Sequence, residues 1–276
     1  MRVIQAGDAR GYRRMTTEEL RAAFLIQGLF LPGAVEMAYT DVDRAVVAGL
    51  VPLAKPLALD AGRELASDYF LERREAGVLN LGGAGKVLVD GVSYSMLPRE
   101  CLYLGRGCRE VLFSSDSADA PAAFYLVSYP AHAAYPTTHA SLAMANRVEL
   151  GSAAQANRRT IYQFIRPGRI ASCQLVMGFT ELHEGSVWNT FPPHTHDRRT
   201  EVYCYFDLPP GGAVLHLLGA PNETRHVVTR EREVVLSPPW SIHSGVGSSA
   251  YGFVWAMGGE NQVFEDMDAV DMGRFQ

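Results

Sequence analysis

Along most of the chain, short runs of β-branched and aromatic residues are cut off by glycine or proline. Examples are "AGVLNLGG", "GKVLVDG", "AAFYLVSYP", "CQLVMGFTEL", "EVYCYFDL", "AVLHLLG" and "YGFVWAMGG". Runs this short cannot make a helical core, and turn signals recurring about every 8–12 residues are the pattern of a β-sandwich or barrel. One clear helical signal interrupts the rhythm. Thr16-Thr17-Glu18-Glu19 forms a capping box ahead of "LRAAFLIQGLF", with Leu20, Ala23, Phe24 and Gln27 at helical spacing, which predicts a helix over about 17–27. The fold class is therefore all-β with minor helix.

With 276 residues, 47% of them hydrophobic, the chain has apolar material for two ordinary domains. The stretch 130–160 is poor in strand-forming residues and rich in small polar ones, so it is expected to connect them. This divides the chain into an N-terminal domain over 1–150 and a C-terminal domain over 151–276.

Charge and composition narrow the function. The net charge is -5 and no block of Lys and Arg would track a phosphate backbone, which argues against nucleic acid. No run approaches the roughly 20 apolar residues that cross a bilayer, and the start, "MRVIQAGDARGYRRM", lacks the apolar segment of a secretory signal. Cys101, Cys108, Cys173 and Cys204 are scattered without a CxxC pair, as suits a reducing compartment. A cytoplasmic protein with no membrane partner is the expectation.

The chemistry concentrates in "FPPHTHDRRTE", residues 191–201. Side chains two apart on a strand share a face about 6.6 Å apart, so His194 and His196 can reach one small object, with Glu201 on the adjoining stretch. An internal comparison supplies a fourth member. "YFLERREAGVLNL" (69–81) aligns with "HTHDRRTEVYCYF" (194–206) with the acid-Arg-Arg runs in register, and "LYLGRG" (102–107) aligns more weakly with "IHSGVG" (242–247). His243 joins the set on that basis. Tyr69, Leu71, Ala76 and Tyr103 fill the matching positions of the first half, and none is a usual metal donor. Three imidazoles and a carboxylate, with no cysteine, suit zinc, iron, manganese or nickel at a catalytic site. His132, His139, His183, His216 and His226 have no such partners.

These motifs resemble a known family. "HTHDRRTE" with "PPWSIHSGVG" looks like the two motifs of a cupin. Together with "YFLERREAGVLNLGGAG", "NRRTI", "WNTFPPHTHDRRTEVYCYF" and "GENQVFEDMD", they resemble the 5-keto-4-deoxyuronate isomerases. The resemblance implies two cupin-like β-barrel domains per subunit and one Zn2+ in the C-terminal cupin, held by His194, His196, Glu201 and His243, with Mn2+ or Fe2+ as alternatives. It also implies a homo-oligomer, a hexamer, acting in the breakdown of pectin-derived unsaturated uronates. The implied reaction is a ketol isomerisation of 5-dehydro-4-deoxy-D-glucuronate to 3-deoxy-D-glycero-2,5-hexodiulosonate. A 5-deoxyglucuronate isomerase of inositol catabolism, a cupin dioxygenase and a non-enzymatic sugar-binding bicupin are the alternatives.

Strand parity proposes the rest of the pocket. Trp188 and Thr190 share parity with His194, and Tyr203 and Tyr205 with Glu201, while Cys204 points the other way. Glu260, Arg199 and Tyr203 are the candidates for catalytic roles, Glu260 as the base. Trp188, Tyr205, Arg225 and Arg159 are the candidates for substrate contact, and Arg158, Arg159, Arg199 and Arg225 can each offer a fork to a carboxylate.

Overall fold

A computed structural model describes residues 1–260 and 262–276. Its contacts divide the chain into two compact units. The first comprises Met1–Val3, Gly28–Ala145 and Phe164–Val176, and the second Ile4–Gln27, Asn146–Gln163 and Met177–Gln276. The units are thus not the contiguous halves 1–150 and 151–276. The N-terminal helix belongs with the later strands, and a segment beyond residue 160 returns to the earlier ones.

In the first unit, a seven-stranded sheet runs in the order Arg2–Ile4, Val35–Thr40, Val46–Leu50, Phe124–Pro130, Arg74–Asn80, Cys101–Leu104, Thr138–Ala140. A four-stranded sheet has the order Leu57–Ala58, Val111–Ser115, Gly85–Val89, Val92–Met96. Alternate residues of both sheets meet in one buried cluster: Val46, Ala48 and Leu50, then Ala76 and Val78, Leu102 and Leu104, facing Val87, Val89, Val111 and Phe113. This is the period-2 burial of strands that cover a core on one face.

The second unit repeats the plan. Its seven-stranded sheet has the order Asn146–Leu150, Arg159–Ile165, Val176–Leu182, Gly252–Gly259, Arg199–Phe206, Val234–Ser237, Leu25–Ile26, and its four-stranded sheet Trp188–Asn189, Ser244–Gly247, Val214–Ala220, Glu223–Thr229. A further pair joins His194–Thr195 to Asp268–Ala269. The chain is all-β with minor helix, as the residue rhythm requires.

Three local expectations are corrected. The helix spans Thr17–Phe24 and stops short of residue 27, because Leu25 and Ile26 go extended and pair with Val235 and Val234. Sheet pairing outweighs the apolar spacing there. Its start is as read: Thr16 Oγ1 accepts from the Glu19 amide at 3.2 Å, and Glu19 Oε2 from the Thr16 amide at 2.7 Å. Stretch 130–160 carries strands Thr138–Ala140 and Asn146–Leu150, which single-sided edge pairing allows to form from weakly apolar sequence. Finally, Tyr103 is not the counterpart of His243. Tyr103 lies on Cys101–Leu104, whose place in the second unit is taken by Val234–Ser237, whereas His243 precedes Ser244–Gly247, whose counterpart is Val111–Ser115. Glu110 and Val111 therefore stand nearest to its place. The glycines that suggested the match are not equivalent: Gly105 and Gly107 follow the strand Cys101–Leu104, whereas Gly245 and Gly247 lie within the strand Ser244–Gly247. Among the described residues, no helix is long and apolar enough to cross a membrane.

Candidate metal centre

Four side chains from three pieces of chain converge in the second unit. His194 opens the short strand that pairs it with Ala269 and Thr195 with Asp268, and His196 follows directly after that strand. Glu201 sits in the middle of the larger sheet, between Ser237 and Met257. His243 follows the turn at Pro238–Ser241, where the Ile242 amide bonds the Gly219 carbonyl and Ser241 Oγ accepts from the Gly219 amide.

The donor atoms face one another. His194 Nε2 lies 3.2 Å from His196 Nε2 and 3.0 Å from His243 Nε2. Glu201 Oε2 lies 3.3 Å from His196 Nε2 and 2.8 Å from His243 Nε2. One ligand atom from each residue can be chosen so that all lie within 4.8 Å of one another. Two neutral imidazole nitrogens turned lone pair to lone pair at this range repel unless a cation stands between them. Donors sharing an ion at bonds of about 2.1 Å are separated by about 3.0–3.4 Å, so the set fits a single divalent ion.

Protonation is arranged to match. His196 Nδ1 is 2.7 Å from the Asp266 carbonyl, an acceptor only, which fixes the ring hydrogen on Nδ1 and leaves the Nε2 lone pair for the cluster. Burial, reinforced by His243, pushes His194 down to about 2, so its ring is neutral at physiological pH. Burial acts to raise Glu201, but the imidazoles of His243 and His196 outweigh it and hold the carboxyl well below its usual range. Tyr203 is pushed well up by burial and by Glu201, and stays a phenol.

Residues 262–270 form a strap along this site. Gly259 has φ 153, and a Cβ there would meet the Arg198 carbonyl oxygen at 2.2 Å, so only glycine lets the strap leave the sheet beside Arg199. Arg198 pairs with Asp266 through Nη2–Oδ1 at 2.7 Å and Nε–Oδ2 at 2.9 Å. Arg199, 1% exposed, donates to the carbonyls of Val263, Phe264 and Asp266.

A cavity of about 420 Å³ opens onto His194, His196 and Glu201, within the range of small-molecule sites. Of the residues nominated from sequence, Thr190, Tyr203, Arg159 and Arg199 line it. Others stand elsewhere. Trp188 is not on the wall and packs against Phe191, since the turn at Thr190 breaks strand parity. Tyr205 is fully buried, its hydroxyl 2.6 Å from His216 Nδ1, one step too deep in the core. Arg225 donates to the carbonyls of Tyr12, Arg13 and Met15 and so ties down the N-terminal segment. Glu260 is exposed and off the cavity wall, because the chain turns outward after Gly259. Cys204 is fully buried away from the cavity.

Sequence reading missed the strap's share of the wall: Phe264, Glu265, Met267, Ala269 and Val270 all line the cavity. "VFEDMDAV" shows no strand or helix period. Its one legible signal is the acidic pair Asp266 and Asp268 awaiting a cation, which Arg198 supplies.

Comparison with known proteins agrees with this geometry. Residues 32–272 match the KduI/IolB family. A 4-deoxy-L-threo-5-hexosulose-uronate ketol-isomerase of Halalkalibacterium halodurans is 52% identical over 94% of this chain and 94% of its own length. One of Lachnoclostridium phytofermentans is 46% identical over 99% of both. Among solved structures, an IolB-like protein of Salmonella typhimurium superposes with a TM-score of 0.68 at 15% identity, covering 83% of this chain and 88% of that one. Oxalate decarboxylase of Bacillus subtilis, a protein with Mn(II) centres, gives 0.57 at 9% identity over 81% and 71%. The structural likenesses speak for the fold alone, while the extent and closeness of the sequence matches show that the chain belongs to the KduI/IolB family.

Proposed function

We propose that the protein is a metal-dependent ketol-isomerase converting 5-dehydro-4-deoxy-D-glucuronate to 3-deoxy-D-glycero-2,5-hexodiulosonate in the breakdown of unsaturated uronates. The observation that carries this reading is the buried His194, His196, Glu201, His243 cluster facing a cavity, in a chain 52% identical to a ketol-isomerase over 94% of its length.

The reaction moves hydrogen from the hydroxyl-bearing carbon to the neighbouring aldehyde carbon, and oxygen loses and gains a proton in step. A divalent ion on the four ligands supplies Lewis-acid polarisation of the carbonyl and charge stabilisation of the enediolate-like transition state, worth several kcal/mol. The chain's own groups do the rest. Apolar walls at Ile161, Phe253, Trp255 and Met257 exclude water and strengthen every charge interaction inside. Tyr203 and Thr190, with hydroxyls 3.0 Å apart, offer hydrogen bonds to substrate hydroxyls. Among the described cavity-lining residues, the carboxylate besides Glu201 is Glu265, and it takes the role of base in this reading in place of Glu260.

Zinc is the proposed ion, since three imidazoles and a carboxylate suit it and an isomerisation requires no change in the ion's oxidation state. Assembly as a hexamer belongs to the same reading and is checked by light scattering. The decisive assay follows turnover of the 4-deoxy-5-keto uronate in the absence of oxygen, before and after chelation, alongside elemental analysis and a parallel assay on 5-deoxyglucuronate. Anaerobic turnover that disappears on demetallation and returns with one equivalent of ion supports the proposal. Turnover indifferent to chelator defeats it, and preference for 5-deoxyglucuronate transfers it to the alternative.

A further inference from the structure

Two guanidinium groups reach the cavity wall, and their surroundings differ. Arg199 is spent on the strap, donating to three backbone carbonyls. The guanidinium of Arg159, the first residue of its strand, makes a single hydrogen bond among the described residues, from Nη1 to the Asn157 carbonyl at 2.9 Å. Among the described residues no carboxylate forms a salt bridge or hydrogen bond with it. Burial lowers its pKa, and the groups that act the other way are the phenols of Tyr203 and Tyr251. It shares the cavity wall with the apolar side chains of Leu150, Ile161 and Phe253. Arg158, next in sequence, is exposed and off the wall.

A mostly buried guanidinium without a counter-charge is costly, and proteins keep one where an arriving anion completes it. Its planar fork matches a carboxylate with two parallel hydrogen bonds, and Nε and Nη2 are the edge left over once Nη1 is bound to Asn157. We infer that Arg159 is the residue that takes the substrate's carboxylate, and that it thereby sets the preference of this site for acidic sugars over neutral ones. The inference rests on the uronate reading above and narrows it, selecting one arginine out of the four that the sequence offered. With the carboxylate held at Arg159 and the metal cluster opening onto the same cavity through His194, His196 and Glu201, the sugar is fixed at both ends, so the arginine acts on orientation as well as on affinity.

The test compares wild type with Arg159→Met and Arg159→Lys, each first shown by elemental analysis to carry its ion. Turnover is measured on the 4-deoxy-5-keto uronate and on its neutral analogue with a primary alcohol in place of the carboxylate. In wild type the ratio of kcat/KM for the acid over the alcohol is expected to be about a hundredfold or more, the size of a desolvated charge pair. In Arg159→Met it collapses to within about threefold of unity, mostly through KM on the acid. Arg159→Lys falls between, because an ammonium restores charge without the fork. A ratio unchanged in Arg159→Met overturns the inference. Should wild type turn over neither sugar, the isomerase reading fails, and Arg159 is judged by calorimetric binding of D-glucuronate with D-glucose as control. Binding by wild type that is lost in Arg159→Met supports the assignment. Equal binding by both proteins, or none by wild type, overturns it.

Discussion

The two units carry the same strands in the same order and use their interiors in opposite ways. In the first, Phe70, Leu71, Ala76, Val78 and Phe113 close into an apolar core. In the second, the matching strand brings Glu201 where the first has Ala76, and the space beside it stays open as the cavity. The sheets are indifferent to this choice because their stability comes from ladders and from the apolar residues shared by both units. The difference teaches that a barrel of this kind holds a site only if several positions change together. One carboxylate without its imidazoles is a buried charge with nothing to pay for it.

Breaking the comparison from each side yields the largest effects. Glu201→Gln should remove the ion and lower turnover by at least about a thousandfold, as loss of an ion that carries the electrophilic work does. Elemental analysis and the isomerase assay are read together, and full turnover with normal ion content would refute the assignment. The reverse change, Ala76→Glu, should acquire no ion and destabilise the protein by at least about 3 kcal/mol in urea unfolding, since nothing around Leu71 and Val78 can pair the new charge.

The next effect compares two buried arginines that the acid-Arg-Arg register sets in equivalent positions. Arg74 donates to Ser128 Oγ and to the carbonyls of Ser128 and Arg44, all framework. Arg199 holds the strap whose Asp266 carbonyl orients His196. Arg199→Met should therefore cost about 10–100-fold in ion affinity and in kcat/KM, the usual price of a lost orienting contact. Arg74→Met should lower the melting temperature and leave the kinetics of the folded fraction alone. Equal kinetic losses in the two variants would erase the distinction.

This pair also marks what was legible in the sequence. "HTHDRRTE" pointed to side chains that do converge, because a strand repeats every two residues and a candidate metal site needs donors at that spacing. The same period placed Tyr203 on the wall. It failed at Trp188, because Thr190 at φ 45 turns the chain. It failed at His243's counterpart too, where a glycine match stood in for topology. The strap was invisible for a different reason: "VFEDMDAV" is held by arginines more than 60 residues away in sequence, and such pairing leaves no local period. Glu265 went unnamed for the same cause. The segment exchange between units could not be read either, since helix Thr17–Phe24 looks alike wherever it docks.

A smaller effect follows from His216, the third residue of Val214–Ala220, where Val87 is the third residue of Gly85–Val89. It is fully buried, and burial lowers its pKa to about 3 from 6.5. A depressed folded-state value means the unfolded chain takes up the proton first as pH falls. The stability this neutral ring contributes is therefore whole above pH 6.5 and drains away as pH drops toward 3. By pH 5 the loss is about 2 kcal/mol. His216→Gln keeps a partner for the Tyr205 hydroxyl without a titrating ring. Between pH 7.5 and 5, the ion-loaded variant should lose about 2 kcal/mol less in urea unfolding than wild type does. Parallel pH curves for the two proteins would show that His216 is protonated within the fold.

The smallest effect separates a tether from a binding group. Arg225 reaches the carbonyls of Tyr12, Arg13 and Met15, while the Tyr12 hydroxyl donates to the Glu223 carbonyl and accepts from the Ala220 amide. Tyr12 packs on Trp240 at 4.8 Å between ring centroids. With the aromatic contact and the tyrosine bonds intact, Arg225→Met removes only the guanidinium's share, about 1–2 kcal/mol. That corresponds to about 2–4 °C in melting temperature for a chain of this size. KM for the uronate should not move, because no cavity-lining residue contacts this guanidinium. A rise in KM matching that of Arg159→Met would return Arg225 to the substrate and leave the N-terminal segment held by Tyr12 alone.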